Sequence, residues 1–162
     1  MSGTQKITGG CQCGAVRYEI KEFGRATICH CRMCQKAFGG LYAPLVTGLG
    51  INWVHREPKY FQSSSKVQRG FCEECGTPLT YDFEGTVAVS IGSLDNPELV
   101  TPILQFSADT RVSYVDDISK VPHYVSAKGA PEEDMFSDMI SYQHPDHPTE
   151  NWSVDKLKNK DK

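Results

Sequence analysis

The stretch Phe71-Cys72-Glu73-Glu74-Cys75-Gly76 decides how this chain reads. Two cysteines separated by two residues put their thiols on one side of a tight turn. Gly76 follows where a positive φ closes such a turn at no steric cost. This is zinc-ribbon spacing, and a pair of sulfurs supplies half of a tetrahedral metal shell. Upstream, Cys11-Gln12-Cys13 offers the other half. In an extended segment residues i and i+2 share a face, so Cys11 and Cys13 are expected to point at one metal. The two pairs together make a closed four-thiolate site, the composition of a structural zinc centre.

The remaining three of the seven cysteines lie in Cys29-His30-Cys31-Arg32-Met33-Cys34. One short peptide there can give three thiolates to one ion. Three protein ligands leave a position open, as a catalytic or exchangeable zinc requires. Cys34 is expected near the first turn of a short helix over about Arg32 to Phe38, where the helix dipole favours a thiolate. His30, between two ligands, reads as a ligand, a proton donor or a packing residue behind them. Arg32 reads as a solvated side chain or as a counter-charge. Iron–sulfur ligation also uses thiolates and stays as the minor alternative, beside buried unligated cysteines acting as small hydrophobes. Two further histidines, His144 and His147, sit in a proline-rich stretch and read as solvated loop residues before metal ligands.

The setting favours thiols over disulfides. Residues 1–10 show no basic segment followed by an apolar run, and no stretch reaches membrane-spanning length. A cytoplasmic location without membrane contact is therefore expected, where clustered cysteines bind metal or do chemistry. The net charge of −3 and the absence of a basic, aromatic stripe argue against a nucleic-acid partner. The lysines from Lys156 to Lys162 read as a solvated tail.

At 162 residues the chain has the length of one domain. Short β-like runs dominate: Ala15–Ile20 with Val16, Tyr18 and Ile20 on one face, Leu41–Thr47, Lys59–Gln62, Val67–Cys72, Pro102–Phe106 and Arg111–Val115. Pro44 is expected to confine its strand to an edge or a bulge. Pro78–Phe83 and Thr86–Ile91 flank Glu84-Gly85 and read as a hairpin. The expected fold is mainly β with few short helices. Near Lys128 the composition turns polar and acidic, which divides the chain into a zinc-binding domain over 1–127 and an extension over 128–162. The extension is read as lying on the domain surface, with a short helix over Pro131–Tyr142.

Taken together, Gly10-Cys-Gln-Cys-Gly-Ala-Val-Arg-Tyr-Glu19, Cys29-His-Cys-Arg-Met-Cys34, Phe71-Cys-Glu-Glu-Cys-Gly-Thr-Pro-Leu79 and Ile91-Gly-Ser-Leu-Asp95 resemble the glutathione-dependent formaldehyde-activating enzyme family, whose domain centromere protein V shares. The resemblance runs over about residues 5 to 115. It implies a β-tent fold with zinc-ribbon-like elements. By position it implies structural zinc ligands at Cys11, Cys13, Cys72 and Cys75, and catalytic zinc ligands at Cys29, Cys31 and Cys34. It implies a carbon–sulfur lyase joining a thiol such as glutathione to a small aldehyde such as formaldehyde. The competing expectation is a non-catalytic zinc module that binds a protein partner. Oligomeric state is left open.

Overall fold

The structure, a computed structural model, describes residues 6–124 and 138–153. Among them are ten strands and one α-helix: β1 (Ile7–Gly10), β2 (Arg17–Ile20), β3 (Glu22–Cys29), α1 (Arg32–Phe38), β4 (Ala43–Leu49), β5 (Asn52–Trp53), β6 (Lys59–Gln62), β7 (Val67–Phe71), β8 (Pro78–Phe83), β9 (Thr86–Ser90) and β10 (Leu104–Phe106). The fold is mainly β, and no helix among the described residues is long and apolar enough to cross a membrane. Local chemistry sets the clearest elements. Glu84 and Gly85 both take positive φ, 48° and 87°, so β8 and β9 turn into the expected hairpin. Cys31 caps the start of α1, and Gly39, at φ 61°, ends it in the left-handed conformation.

The strands form two sheets. A three-stranded sheet runs β1-β2-β5, and a seven-stranded sheet runs β10-β3-β4-β9-β8-β7-β6. All pairings in the large sheet are antiparallel except β10 with β3, which is parallel. Strand β4 lies in the interior of that sheet, which corrects the edge placement expected from Pro44. The proline is tolerated because it is the second residue of β4 and the ladder to β9 begins only at Leu45. Arg111–Val115 is no strand: a 3-10 turn over Ala108–Thr110 precedes it, and a second begins at Val115.

The main core is built by Tyr18 and Ile20 of β2 and by Val16 just before it, packed with Val46, Leu79 and Val89 of the large sheet. Tyr18 is fully buried, with its hydroxyl 2.7 Å from Ser93 Oγ. Gly9 lies against this pair, and a Cβ there would come within 2.5 Å of both the Tyr18 hydroxyl and the Ser93 carbonyl oxygen. Glycine is thus what lets β1 approach the Ile91–Leu94 turn. One charged pair shares the interior: Arg17 donates from Nη1 and Nη2 to the two carboxylate oxygens of Asp95, and Thr8 adds its hydroxyl to Oδ2 at 2.6 Å. Burial alone would push the Asp95 carboxyl up, but the bonds from Arg17 and Thr8 outweigh it and hold the carboxyl below its usual range. Asp95 therefore contributes stability above the ordinary aspartate pKa of about 3.9, lost as the pH falls through its lower folded value. Asp95→Ala strands a buried guanidinium. We expect it to cost about 3–5 kcal/mol at neutral pH, measured by chemical denaturation.

The described part of the C-terminal extension, residues 138–153, packs on the N-terminal cysteine loop. His144 N–H donates to the Gln12 carbonyl at 2.7 Å, and Trp152 Nε1–H donates to the Cys13 carbonyl at 2.8 Å. The two rings meet edge to face with centroids 5.1 Å apart. A Cβ on Gly14 would lie 2.5 Å from atoms of both rings. Of the expected helix over 131–142, residues 131–137 lie outside the described residues and 138–142 are not helical. Trp152→Ala should lower stability by about 1–3 kcal/mol and speed alkylation of Cys11 and Cys13. Thermal melts and timed thiol labelling check both.

Candidate metal centres

The four sulfurs of Cys11, Cys13, Cys72 and Cys75 lie within 4.8 Å of one another. Two turns bring them there. After β1 the chain folds back so that Gly14 N–H donates to the Cys11 carbonyl at 3.1 Å, with Gly14 at φ 78°. Cys11 and Cys13 thus converge through a tight turn, where an extended segment was expected. The spacing works in both cases because the turn also puts two thiols on its inner side. After β7, Gly76 N–H donates to the Cys72 carbonyl at 2.8 Å, with Gly76 at φ 74°, as its spacing predicts. Thr77 joins the turns: its hydroxyl accepts from Gln12 N–H at 3.1 Å and lies 3.1 Å from Cys75 Sγ.

This surrounding divides the thiols electrostatically. Burial is the largest influence on Cys75 and would raise it, but hydrogen bonds from Thr77 and Cys13 together outweigh it and bring the thiol down to about 6. Cys11 is pushed well up, chiefly by burial. Cys75 is thus eased toward the thiolate where Cys11 is not, and a cation held by the group would favour loss of the remaining protons.

The second group is Cys29, Cys31 and Cys34, whose sulfurs also lie within 4.8 Å of one another. Cys29 ends β3, Cys31 is the N-cap of α1, and Cys34 is buried in its first turn. Cys34 N–H donates to Cys31 Sγ at 3.4 Å. The Cys29 thiol is lowered, above all by a hydrogen bond from Cys34, and Cys34 is raised by giving that bond and then by burial. These cysteines pack with Ala43 and Leu45 of β4 in a cluster separate from the main core.

His30 does not join the three sulfurs. Its ring is 2% exposed, its Nε2 lies 2.8 Å from Gln105 Oε1, and it meets Tyr42 edge to face at 5.6 Å. Arg32 donates to Gln35 Oε1 at the helix surface. His144 is turned inward with Nε2 2.8 Å from Thr149 Oγ1, and His147 is exposed. Neither joins a cysteine group. The residue that the sequence reading missed is Arg69. It donates from Nη2 to Cys34 Sγ at 3.3 Å and from Nε to Ser63 Oγ at 2.9 Å. The signal was present: strand alternation puts Arg69 on the same side of β7 as the buried Val67. A pocket of about 290 Å3 opens alongside, lined by Phe38, Phe61, Phe71 and Pro78, with Arg69 its one charged side chain.

An all-sulfur donor set on tight turns suits zinc, and both groups are compatible with it. A mainly β domain carrying one four-cysteine and one three-cysteine group defines a class of proteins with two candidate metal sites compatible with zinc. The family model described as glutathione-dependent formaldehyde-activating enzyme matches residues 6–109, and the chain belongs to that family. The match spans all seven cysteines and ends before the segment that closes on Cys13.

Proposed function

We propose that this chain is a zinc-dependent carbon–sulfur lyase that adds a thiol to a small aldehyde, or reverses that addition, with glutathione and formaldehyde the family's implied pair. The observation that carries the reading is the contrast between the two groups. Four convergent sulfurs would complete a tetrahedral shell, whereas Cys29, Cys31 and Cys34 would leave one position free, and Arg69, bonded to Cys34, lines a neighbouring pocket. In this reading the four-cysteine group is structural and the three-cysteine group is the reaction centre. Zinc held there would favour the thiolate form of an incoming thiol and polarise a carbonyl.

The balance of the reaction is simple. The thiol sulfur forms a bond to the carbonyl carbon, the C=O π bond breaks, and the thiol proton ends on the oxygen. Cys29, Cys31 and Cys34 would hold the centre. The proton reaches the oxygen from water or by way of His30, whose Nδ1, without a hydrogen-bond partner among the described residues, would first take it from the thiol. Native mass spectrometry of the zinc-loaded protein, with and without glutathione, tests the reading beside a hemithioacetal assay. Two zinc ions, a thiol adduct and turnover are expected. Two zinc ions with neither adduct nor turnover would overturn the enzyme in favour of a partner-binding zinc module. That second reading draws support from the exposed Ile103, Leu104 and Phe106 at the edge of the large sheet.

A further inference from the structure

Arg69 is 3% exposed, and a guanidinium so deep is costly unless its charge is matched. Among the described residues no carboxylate pairs with it. Its guanidinium carbon lies 5.0 Å from the Tyr81 ring centroid and 5.9 Å from that of Phe38, both of which pack on the three-cysteine cluster. Among the described residues its Nη1 has no hydrogen-bond partner. The one group in hydrogen-bond reach that becomes an anion is the sulfur of Cys34. Among the described residues no such cation is bonded to the four-cysteine group: its sulfurs receive the Val16 amide and the Thr77 hydroxyl. Three thiolates and a divalent ion leave one net negative charge, which Arg69 cancels. A further anionic donor then restores a single negative charge, where without Arg69 it would leave two.

We propose that Arg69 is a positioning residue of the three-cysteine centre, holding the Cys34 sulfur in place through its Nη2 bond and supplying the positive charge that lets the open position prefer an anionic donor over a neutral one. The inference rests on the reading of Cys29, Cys31 and Cys34 as a metal centre. It explains why an arginine stands inside an aromatic slot with its Nη1 unpaired among the described residues.

The test uses the full chain with cobalt(II) as the metal probe, since sulfur-to-cobalt bands count thiolates, and a chelator competition that resolves the two sites. Arg69→Met fills the slot between Tyr81 and Phe38 without charge. Its three-cysteine site should bind metal about 10–100-fold more weakly, the range seen when a partner of a ligand is lost, while the four-cysteine site is unchanged. Its affinity for 2-mercaptoethanol should fall, and its affinity for imidazole, a neutral donor, should not. Arg69→Lys keeps the charge but loses the fork and should fall between. An Arg69→Met protein with the wild-type ratio of the two metal affinities and the wild-type preference for mercaptoethanol over imidazole would overturn the proposal and leave Arg69 a packing residue. Should Arg69→Met give no cooperative melt, Arg69→Lys decides by the same ratio. Failure of the underlying reading looks different: wild-type protein would then bind a single metal, at the four-cysteine group.

Discussion

Cys72→Ala should abolish the cooperative melt of the whole domain and take one zinc per chain with it. Cys72 is 1% exposed and packs in the main core with Tyr18, Leu79 and Val89, so its turn belongs to the folding unit and not to its surface. Structural zinc contributes an apparent 10–16 kcal/mol in small zinc domains, roughly the whole net stability of an ordinary domain at about 5–15 kcal/mol. Losing one of four ligands forfeits most of that contribution. The alanine also leaves a void where the sulfur was. Zinc content and a thermal melt on the same sample are the measurement. A variant with wild-type melt and zinc content would show that the four sulfurs are not a structural centre.

Cys31→Ser should do the opposite: remove the second zinc and all thiol–aldehyde activity while the fold stays intact. The reason lies in the double duty of Cys31. Its sulfur is one of three convergent ligands, and the same sulfur accepts from Cys34 N–H as the cap of α1. Serine is a preferred N-cap, so the hydroxyl takes over that bond. It is a poor zinc ligand beside thiolate, so the metal is lost. The melt should shift by less than about 1 kcal/mol in equivalent stability. Zinc per chain should drop from two to one. Full activity with one zinc, or global unfolding, would mean that the roles of the two groups are reversed or shared.

What could be read from the sequence was chemistry confined to a few neighbouring residues. Helix α1 is found over Arg32–Phe38 as expected, since its cap, its C-terminal glycine and the cysteine spacing lie within nine residues. The hairpin at Glu84-Gly85 is of the same kind. Strands β1 and β3 gave no such signal. β1 ends in two glycines, whose value lies in the close approach to Ser93. β3 has its alternation broken by an irregularity between Phe23 and Ala26. The parallel pairing of β10 with β3 joins residues more than seventy positions apart and leaves no local trace. The candidate centres divide along the same line. Their sulfurs were legible from spacing alone. Strand alternation could put Arg69 on the inward side of β7, but its bond to Cys34, like the packing of His144 and Trp152 on the first turn, was not legible, because a buried polar residue is explained only by a partner that the fold delivers.

The bond from Trp152 to Cys13 spans 139 residues, and that span sets an order of events on the ribosome. At a synthesis rate of 5–20 residues per second, about 7–28 s separate the appearance of the first cysteine turn from that of the tryptophan that covers it. Through that interval Cys11 and Cys13 stand without the tryptophan that covers them. Metal capture has to wait for Cys72 and Cys75 at about the midpoint, and the cover arrives last. A nascent chain stalled before Trp152 thus displays a metal knuckle without its lid, which makes the abundance of free metal during translation, and not only the sequence, a determinant of yield.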